Sequence, residues 1–415
     1  MTSAIVLGGG FAGVLVANVL ARHFATVTVI ESGDLPDGPL ERSGVPQARH
    51  NHVLVAGGAR ALSALSPGIV DELLELGAQR RDLPGDALIL GAQGWFHRHH
   101  TGAYLIACSR WLLDAVLRRR LLTGPRITVR TRTRAAGLTG SAGRITGVRL
   151  DGEGALAADL VVDATGRRSR SPSWLAALGL PPIPEEVVDP GVAYVTRIYQ
   201  APDGLGATIP AVMLHPRGGG HGATVFPIEG GRWIVTLTGT RGNPPSAGAF
   251  TACAEGLPDP MVSRLITAAR PLGPARPFRA TANRRRRFPA LPGFLAVGDA
   301  LTTMNPVYSH GMSVAALQAV RLDRLLADGA PGLQAAAAAE ADLPWRMATT
   351  RDRAAPAAGN RLPRLTPALV GRMFRAQTLI EPEVPVPVAL VPLPALDTTA
   401  AVAQFPALAG WWAAA

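Results

Sequence analysis

The chain opens on a regular pattern: an apolar run, SAIVL, then three glycines, then an apolar stretch of helical character, then a second apolar run, VTVI, and an acid, Glu31. Strand, helix and strand are predicted over residues 3–31. Residues 49–82 read mainly as helix, with Leu54, Leu62, Leu65, Leu73 and Leu76 as its apolar positions. Residues 86–106 alternate and turn like strands. Arg110–Leu122 is an amphipathic helix with Ser109 as its N-cap. Strands follow at Ile127–Thr133, Arg144–Leu150 and Leu160–Asp163, with a turn at 141–143. From about 186 to 274, the runs GVAYVTRIY, GATVFPIE and GRWIVTLTGT alternate or are β-branched between Gly/Pro breaks. They predict an antiparallel sheet. FLAVGDA then reads as a strand ending in an acid, and SHGMSVAALQAVRLDRLLAD as a helix. An Ala-rich helix and a Pro-rich tail, EPEVPVPVALVPLPAL, complete the chain, and that tail cannot be one long helix.

The first unit carries chemistry. Gly8-x-Gly10-x-x-Gly13 lies between strand and helix, and Glu31 ends the second strand at the spacing of about 20 residues expected of a dinucleotide-binding βαβ unit. Gly8 allows a sharp turn, Gly10 lets a pyrophosphate approach the backbone, and Gly13 lets the helix pack on the strand. Phe11 and Ala12 begin a helix whose free N–H groups favour phosphate. Glu31 can accept both ribose hydroxyls and repels a 2′-phosphate, which favours FAD or NAD over NADP. Residues 4–21 carry no charge, but the glycines, Asn18 and the strand-like start argue against a membrane span.

Composition narrows the classes. The chain has 415 residues, enough for two or three lobes, and 47% of them are hydrophobic. No basic segment precedes the first apolar run, so no signal peptide is expected, and the two cysteines, Cys108 and Cys253, give neither a disulfide framework nor a metal set. A cytoplasmic protein is expected. The net charge of +11 comes from arginine alone, with no lysine in the chain. Aromatics at 5% and the lack of a basic helix argue against nucleic acid. The dense run Arg284–Arg287 is expected to be a solvated strand edge. The excess charge suits an anionic ligand or a cofactor phosphate.

Two further strand ends repeat the logic of the first. Val161-Val162-Asp163-Ala164-Thr165-Gly166-Arg167 and Leu295-Ala296-Val297-Gly298-Asp299-Ala300 each run from apolar residues into an acid and small residues, where an open α/β sheet binds its ligand. Asn305 to Ser313 leads into a helix whose N–H groups can stabilise negative charge. GxGxxG, SRWLLD, VVDATG and GDA…NPVYSHGM, in this order, resemble the single-component flavin monooxygenases of the para-hydroxybenzoate hydroxylase type. ERSGVPQARHNH, GWFHRH, IACSR, VVDATGRRSRSPSWLAALGL, AYVTR, PIEGGRWIVTLTGTRG and NPVYSHGMS resemble, more narrowly, the squalene-epoxidase-like enzymes of polyether biosynthesis, the monensin and lasalocid epoxidase type. The resemblance covers roughly residues 1–350.

It implies an α/β fold with a glutathione-reductase-type Rossmann FAD-binding domain, an antiparallel β-sheet substrate domain and a helical C-terminal segment. The FAD-binding domain would take residues 1–85, 107–185 and 275–334, the substrate domain 86–106 and 186–274, and the C-terminal helical and Pro-rich segment 335–415. Gly8, Gly10, Ala12 and Gly13 would hold the pyrophosphate and Glu31 the adenosine ribose. Arg42 and Arg49 lie in the segment expected near the adenine and flavin. Arg110 would reach the cofactor from the head of its helix, and Asp299 would meet the pyrophosphate or ribityl chain. Pro306, Gly311 and Met312 would line the isoalloxazine. Asp163 stands where the wider class has an aspartate-glycine pair, here Asp-Ala.

The activity implied is transfer of one oxygen atom of O2 to an alkene of a lipophilic polyketide or terpenoid, with NAD(P)H or a separate flavin reductase as the electron source. The flavin supplies that chemistry, and the protein must place the substrate and exclude water. An alkene needs no deprotonation, so the pocket can be apolar. Tyr194, Thr196, Phe226, Trp233 and Val235 are the candidate wall, each of them also consistent with plain core packing. His97, His99 and His100 form the one histidine cluster. Without a nearby carboxylate or cysteine they point to no metal, and a general base for phenol hydroxylation is the better rival. A hydroxylase of an aromatic or polyketide substrate, a flavin-dependent reductase and a non-catalytic FAD-binding scaffold stay open. Flavin halogenases share the fold but need a lysine that this chain lacks.

Overall fold

The computed structural model describes residues 2–354 and 396–414, except 43, 45, 92, 93, 99, 153 and 216–219. Its centre is a five-stranded parallel sheet in the order Phe294–Ala296, Leu160–Asp163, Ser3–Leu7, Thr26–Ile30, Ile127–Arg130. The three central strands are near-continuous apolar runs because both faces of the sheet are covered. Helix Phe11–His23 packs against helices Arg110–Leu121 and Gly311–Ala327. The uncharged stretch 4–21 is thus a strand, a turn and part of a helix, and no helix among the described residues is long and apolar enough to cross a membrane. Ser109 caps its helix as expected, its side chain accepting from the Leu112 N–H at 3.2 Å.

The stretch 49–82 differs from its mainly helical reading. It divides into a 3-10 turn, Pro46–Arg49, a strand, Val53–Val55, two short helices, Ala56–Leu65 and Ile69–Glu75, and a strand, Gln79–Asp82. Both strands flank Tyr104–Ala107 in an antiparallel sheet. Pairing with a strand far along the chain overrides the local helical spacing of the leucines.

The predicted antiparallel sheet forms from Val192–Gln200, Arg232–Thr240, Gly222–Ile228 and Ala211–Leu214. Ala87–Gly91 joins it in parallel with Ala211–Leu214, and Gly94–Trp95, Arg270–Pro271 and Arg276–Phe278 complete eight strands. Its two faces have different covers. Trp233, Val235, Leu237, Val195 and Val225 point outward into a core closed by helices Phe250–Glu255 and Met261–Ala268 and by the C-terminal helices Thr398–Ala403 and Pro406–Ala414. Tyr194, Thr196, Ile198, Phe226 and Thr236 occupy the other face, by the two-residue alternation of the strands. The Pro-rich stretch through 395 lies outside the described residues.

Arg284–Arg287 is not a solvated edge. Asn283–Arg286 is the middle strand of three, between Glu185–Val188 and Thr302–Thr303. Arg286 is buried against Glu185 at 3.0 Å and donates to the carbonyls of Ala300 at 2.7 Å and Arg167 at 3.2 Å. It is a strut between the turns that follow the second and third strand ends. A buried guanidinium has this many donors to place, and flanking carbonyls and an acid accept them.

Candidate functional site

The carboxyl ends of Ser3–Leu7, Leu160–Asp163 and Phe294–Ala296 lie side by side, and each runs straight into a turn. Gly8 has φ +98°, a left-handed conformation, and a Cβ there would stand 2.7 Å from the Ala164 carbonyl oxygen. A Cβ on Gly13 would fall 1.8 Å from the Gly8 oxygen, so helix and turn touch through the bare glycine. A Cβ on Gly10 would meet nothing within 4 Å. The space over Gly10 is open, and helix Phe11–His23 begins there with no side chain capping its N–H groups. Helix Gly311–Ala327 likewise begins uncapped by any side chain.

Glu31 is buried beside this turn. Its Oε2 accepts from the Gly9 N–H at 2.8 Å and pairs with Arg42 Nη2 at 2.9 Å, and its Oε1 accepts from the Gly33 N–H at 2.8 Å. Burial works to raise the pKa of this carboxyl, but the Gly33 N–H, the charge of Arg42 and the Gly9 N–H prevail and hold it below the usual range. Arg42 also donates to the Gly9 oxygen at 2.9 Å, while its buried Nε has no partner among the described residues. Arg49 does not join them. It is half-exposed and ion-paired to Glu41.

Arg110, Phe11 and Met312 do meet. The Arg110 guanidinium is held by Asp114 at 2.7 Å, lies 3.6 Å from the Met312 sulfur and stands 5.4 Å from the Phe11 ring centre. Side chains from the first turns of three helices therefore meet. Asp299 is near Gly311, where a Cβ would stand 3.6 Å from Asp299 Oδ1. Its carboxylate has no hydrogen-bond partner among the described residues, and burial pushes its pKa up against the pull of Arg167, Arg110 and Arg286. Buried Asp163 instead serves its own turn, accepting from the Thr165 N–H at 2.9 Å, the Thr165 hydroxyl at 2.6 Å and the Ser169 hydroxyl at 2.5 Å. Pro306 is half-buried on the turn before helix Gly311–Ala327.

Of the five wall candidates, Tyr194, Thr196 and Phe226 share the inner face. Trp233 and Val235 lie on the outer one, where the Trp233 Nε1 donates to the Gly206 oxygen at 2.9 Å. They are core, because a one-residue step along a strand reverses the face. The inner face carries a residue that the sequence pattern did not single out. His50 Nδ1 is 3.0 Å from Thr196 Oγ1, which is 2.8 Å from Thr236 Oγ1, and the imidazole packs against Tyr194 and Phe278 with ring centres 5.0 and 5.1 Å away. Burial and Arg49 lower the His50 pKa to about 4. Burial, with Arg110 nearby, lowers His52 to about 3, although its Nδ1 lies 2.8 Å from the His50 oxygen. Burial drives the Tyr194 pKa upward. The wall is polar in places, not wholly apolar, but it is uncharged at neutral pH. Arg167 couples electrostatically to both Asp299 and Tyr194, which ties the wall to the turn cluster. The segment bearing His97 and Arg98 is fastened elsewhere: Arg98 donates to Gln404 and lies 4.5 Å from the Phe405 ring centre. His100 is exposed near Asp82, and His99 lies outside the described residues.

A model of the FAD dependent oxidoreductase family matches residues 4–167. Protein Rv3254 of Mycobacterium tuberculosis strain H37Rv is 34% identical over 347 residues, which cover 78% of this chain and 72% of that protein. The flavin-dependent brominase Bmp2 superposes with a TM-score of 0.68 at 16% identity, over 91% of this chain and 94% of its own. PqsL, a probable FAD-dependent monooxygenase of Pseudomonas aeruginosa, superposes with a TM-score of 0.65 at 16% identity, over 91% and 99%. At these identities the two structures share the fold with this chain.

Proposed function

We propose that this chain, which belongs to the FAD-dependent oxidoreductase family, is a monooxygenase that transfers one oxygen atom of O2 to a carbon–carbon double bond of a lipophilic polyketide or terpenoid. The residues present fit FAD. The bare space over Gly10, the uncapped helix at Phe11, the unpartnered Arg42 Nε and the unpartnered Asp299 carboxylate are the features that a bound dinucleotide would complete. Gly8, Gly10, Ala12 and Gly13 would hold the pyrophosphate. Glu31 would meet the ribose, and Arg42 would stand over the same end. Asp299 would accept from the ribityl chain, with Arg110, Pro306, Gly311 and Met312 around the isoalloxazine. When bound, FAD supplies the reduction and activation of O2, with NAD(P)H or a separate reductase as electron source.

The uncharged inner wall carries the choice of substrate. An electrophilic oxygen needs an electron-rich carbon, and an alkene presents one without losing a proton. A phenol gains from a base with a pKa near the working pH. His50 at about 4 and Tyr194 raised by burial both stay neutral at pH 7, and neither is such a base. Ile198, Phe226 and Ile234 add apolar area to the same face and exclude water. Bmp2 is similar in fold only, and this chain has no lysine.

Hydroxylation of an aromatic or polyketide substrate is the second reading, favoured by the His50–Thr196–Thr236 chain, which can pass a proton along three hydrogen-bonding groups. The two are separated by incubation with FAD, NAD(P)H and a flavin reductase under ¹⁸O₂ with a polyene and a phenol panel, read by mass spectrometry. Incorporation of one ¹⁸O with loss of one double bond per turnover is expected. Product from phenols alone, at a rate that collapses in His50→Ala, decides for the hydroxylase.

Glu31→Ala is expected to weaken FAD binding about tenfold, the worth of one hydrogen bond to a charged group. Titration of the apoprotein by flavin fluorescence measures this. Wild-type affinity in the variant would take Glu31 out of the site.

A further inference from the structure

Between strand Thr302–Thr303 and helix Gly311–Ala327 the chain makes a 3-10 turn, Pro306–Tyr308. Proline suits its first position, and Asn305 caps it, its Oδ1 accepting from the Val307 N–H at 3.2 Å. One carboxylate grips both ends of this turn. Asp352, buried on helix Asp342–Ala354, accepts from Asn305 Nδ2 at 3.2 Å and from the Tyr308 hydroxyl at 2.5 Å. It also accepts from Asn283 Nδ2 at 2.6 Å. Asn283 donates to the Val188 oxygen at 3.1 Å and, through Oδ1, accepts the Asn305 backbone N–H at 2.8 Å. These contacts fix the orientation of both amides, and the three that end on Asp352, from Asn283, Asn305 and Tyr308, each need an acceptor there.

The turn is held from behind and bare in front. Asn305, Tyr308 and His310 are buried, whereas Val307 is 46% exposed, an apolar side chain left uncovered at the tip. The next residues are Gly311, beside Asp299, and Met312, on Arg110.

We propose that Asp352 is a positioning residue for the flavin: by clamping both ends of Asn305–Tyr308 it sets where Pro306 and the first N–H groups of helix Gly311–Ala327 stand against the isoalloxazine. This rests on the reading, given above, that the turn faces FAD. Asp352 touches neither cofactor nor substrate.

Asp352→Asn tests it at constant volume. The new amide turns a donor toward Asn283, Asn305 or Tyr308, and Asn283 cannot flip without releasing the Asn305 N–H. Titrated with FAD as apoprotein well below its melting temperature, the variant is expected to bind about tenfold more weakly and to show a shifted visible flavin band. Tyr308→Phe removes one of the three donors and is expected to move both readouts the same way by less. A folded Asp352→Asn that binds FAD with wild-type affinity and spectrum, and only melts earlier, would assign Asp352 to plain stability and overturn the proposal. Should Asp352→Asn not fold, unchanged affinity and spectrum in Tyr308→Phe overturns it equally. Wild-type protein that takes up no FAD would instead overturn the reading of the site, and this assignment with it.

Discussion

Gly10→Val is expected to leave the apoprotein folded and to cost at least about 100-fold in FAD affinity, or roughly 2.7 kcal/mol. The reason lies in what each glycine touches. At Gly10 a Cβ meets no protein atom within 4 Å, and the backbone, at φ −81° and ψ −173°, is open to any residue. A valine there fits the empty protein and occupies only the space that the pyrophosphate needs. Gly13→Ala behaves in the opposite way. Its Cβ would collide with the Gly8 oxygen at 1.8 Å, so helix and turn must separate before any ligand arrives. Overpacking of this kind costs about 1–3 kcal/mol of fold stability. Thermal melts of the apoproteins and FAD titrations separate the two effects. A Gly10→Val protein that retains FAD as wild type does would place the cofactor elsewhere. A Gly13→Ala protein with unchanged melting would contradict the packing.

The same contrast explains what was legible in the sequence. The glycine fingerprint, Glu31 and the acids after the second and third strands could be read because each depends on neighbours within about 20 residues. The inner wall could be read only in part. Tyr194 and Trp233 both belong to β-rich runs, but which face each takes depends on the register Tyr199↔Trp233 and Thr196↔Thr236, which no local pattern specifies. The charge run at 284–287 misled because arginine is usually solvated, while here Arg286 is satisfied by Glu185 and two carbonyls from distant turns. His50 and Asp352 gave no periodic or motif signal. Each becomes a functional candidate only when strands or helices far apart in the chain bring Thr196, or Asn283 and Tyr308, to it.

His50 also makes the fold acid-labile. Its imidazole stays neutral in the folded protein down to about pH 4, because burial and Arg49 penalise the cation, while the unfolded chain takes up that proton below its ordinary 6.5. Between these values the unfolded state binds more protons, so stability is full above pH 6.5 and falls as pH drops toward 4. From pH 7.5 to 5 the loss is about 2 kcal/mol from this residue, rising to about 3 kcal/mol near pH 4. His52, lowered to about 3, adds in the same direction. Glu31 also loses stabilisation in acid, but only below its unfolded value of 4.5, and the raised Asp299 works in the opposite sense, so the comparison with His50→Gln isolates the histidine. Denaturant unfolding at pH 7.5, 6 and 5 should show the wild type losing stability steadily and His50→Gln losing distinctly less, since glutamine keeps the polar contact and cannot titrate. Identical pH profiles for the two proteins would mean that His50 is not held neutral by its surroundings. The uncharged wall would then fail along with it, and the case for an alkene over a phenol would lose its physical basis.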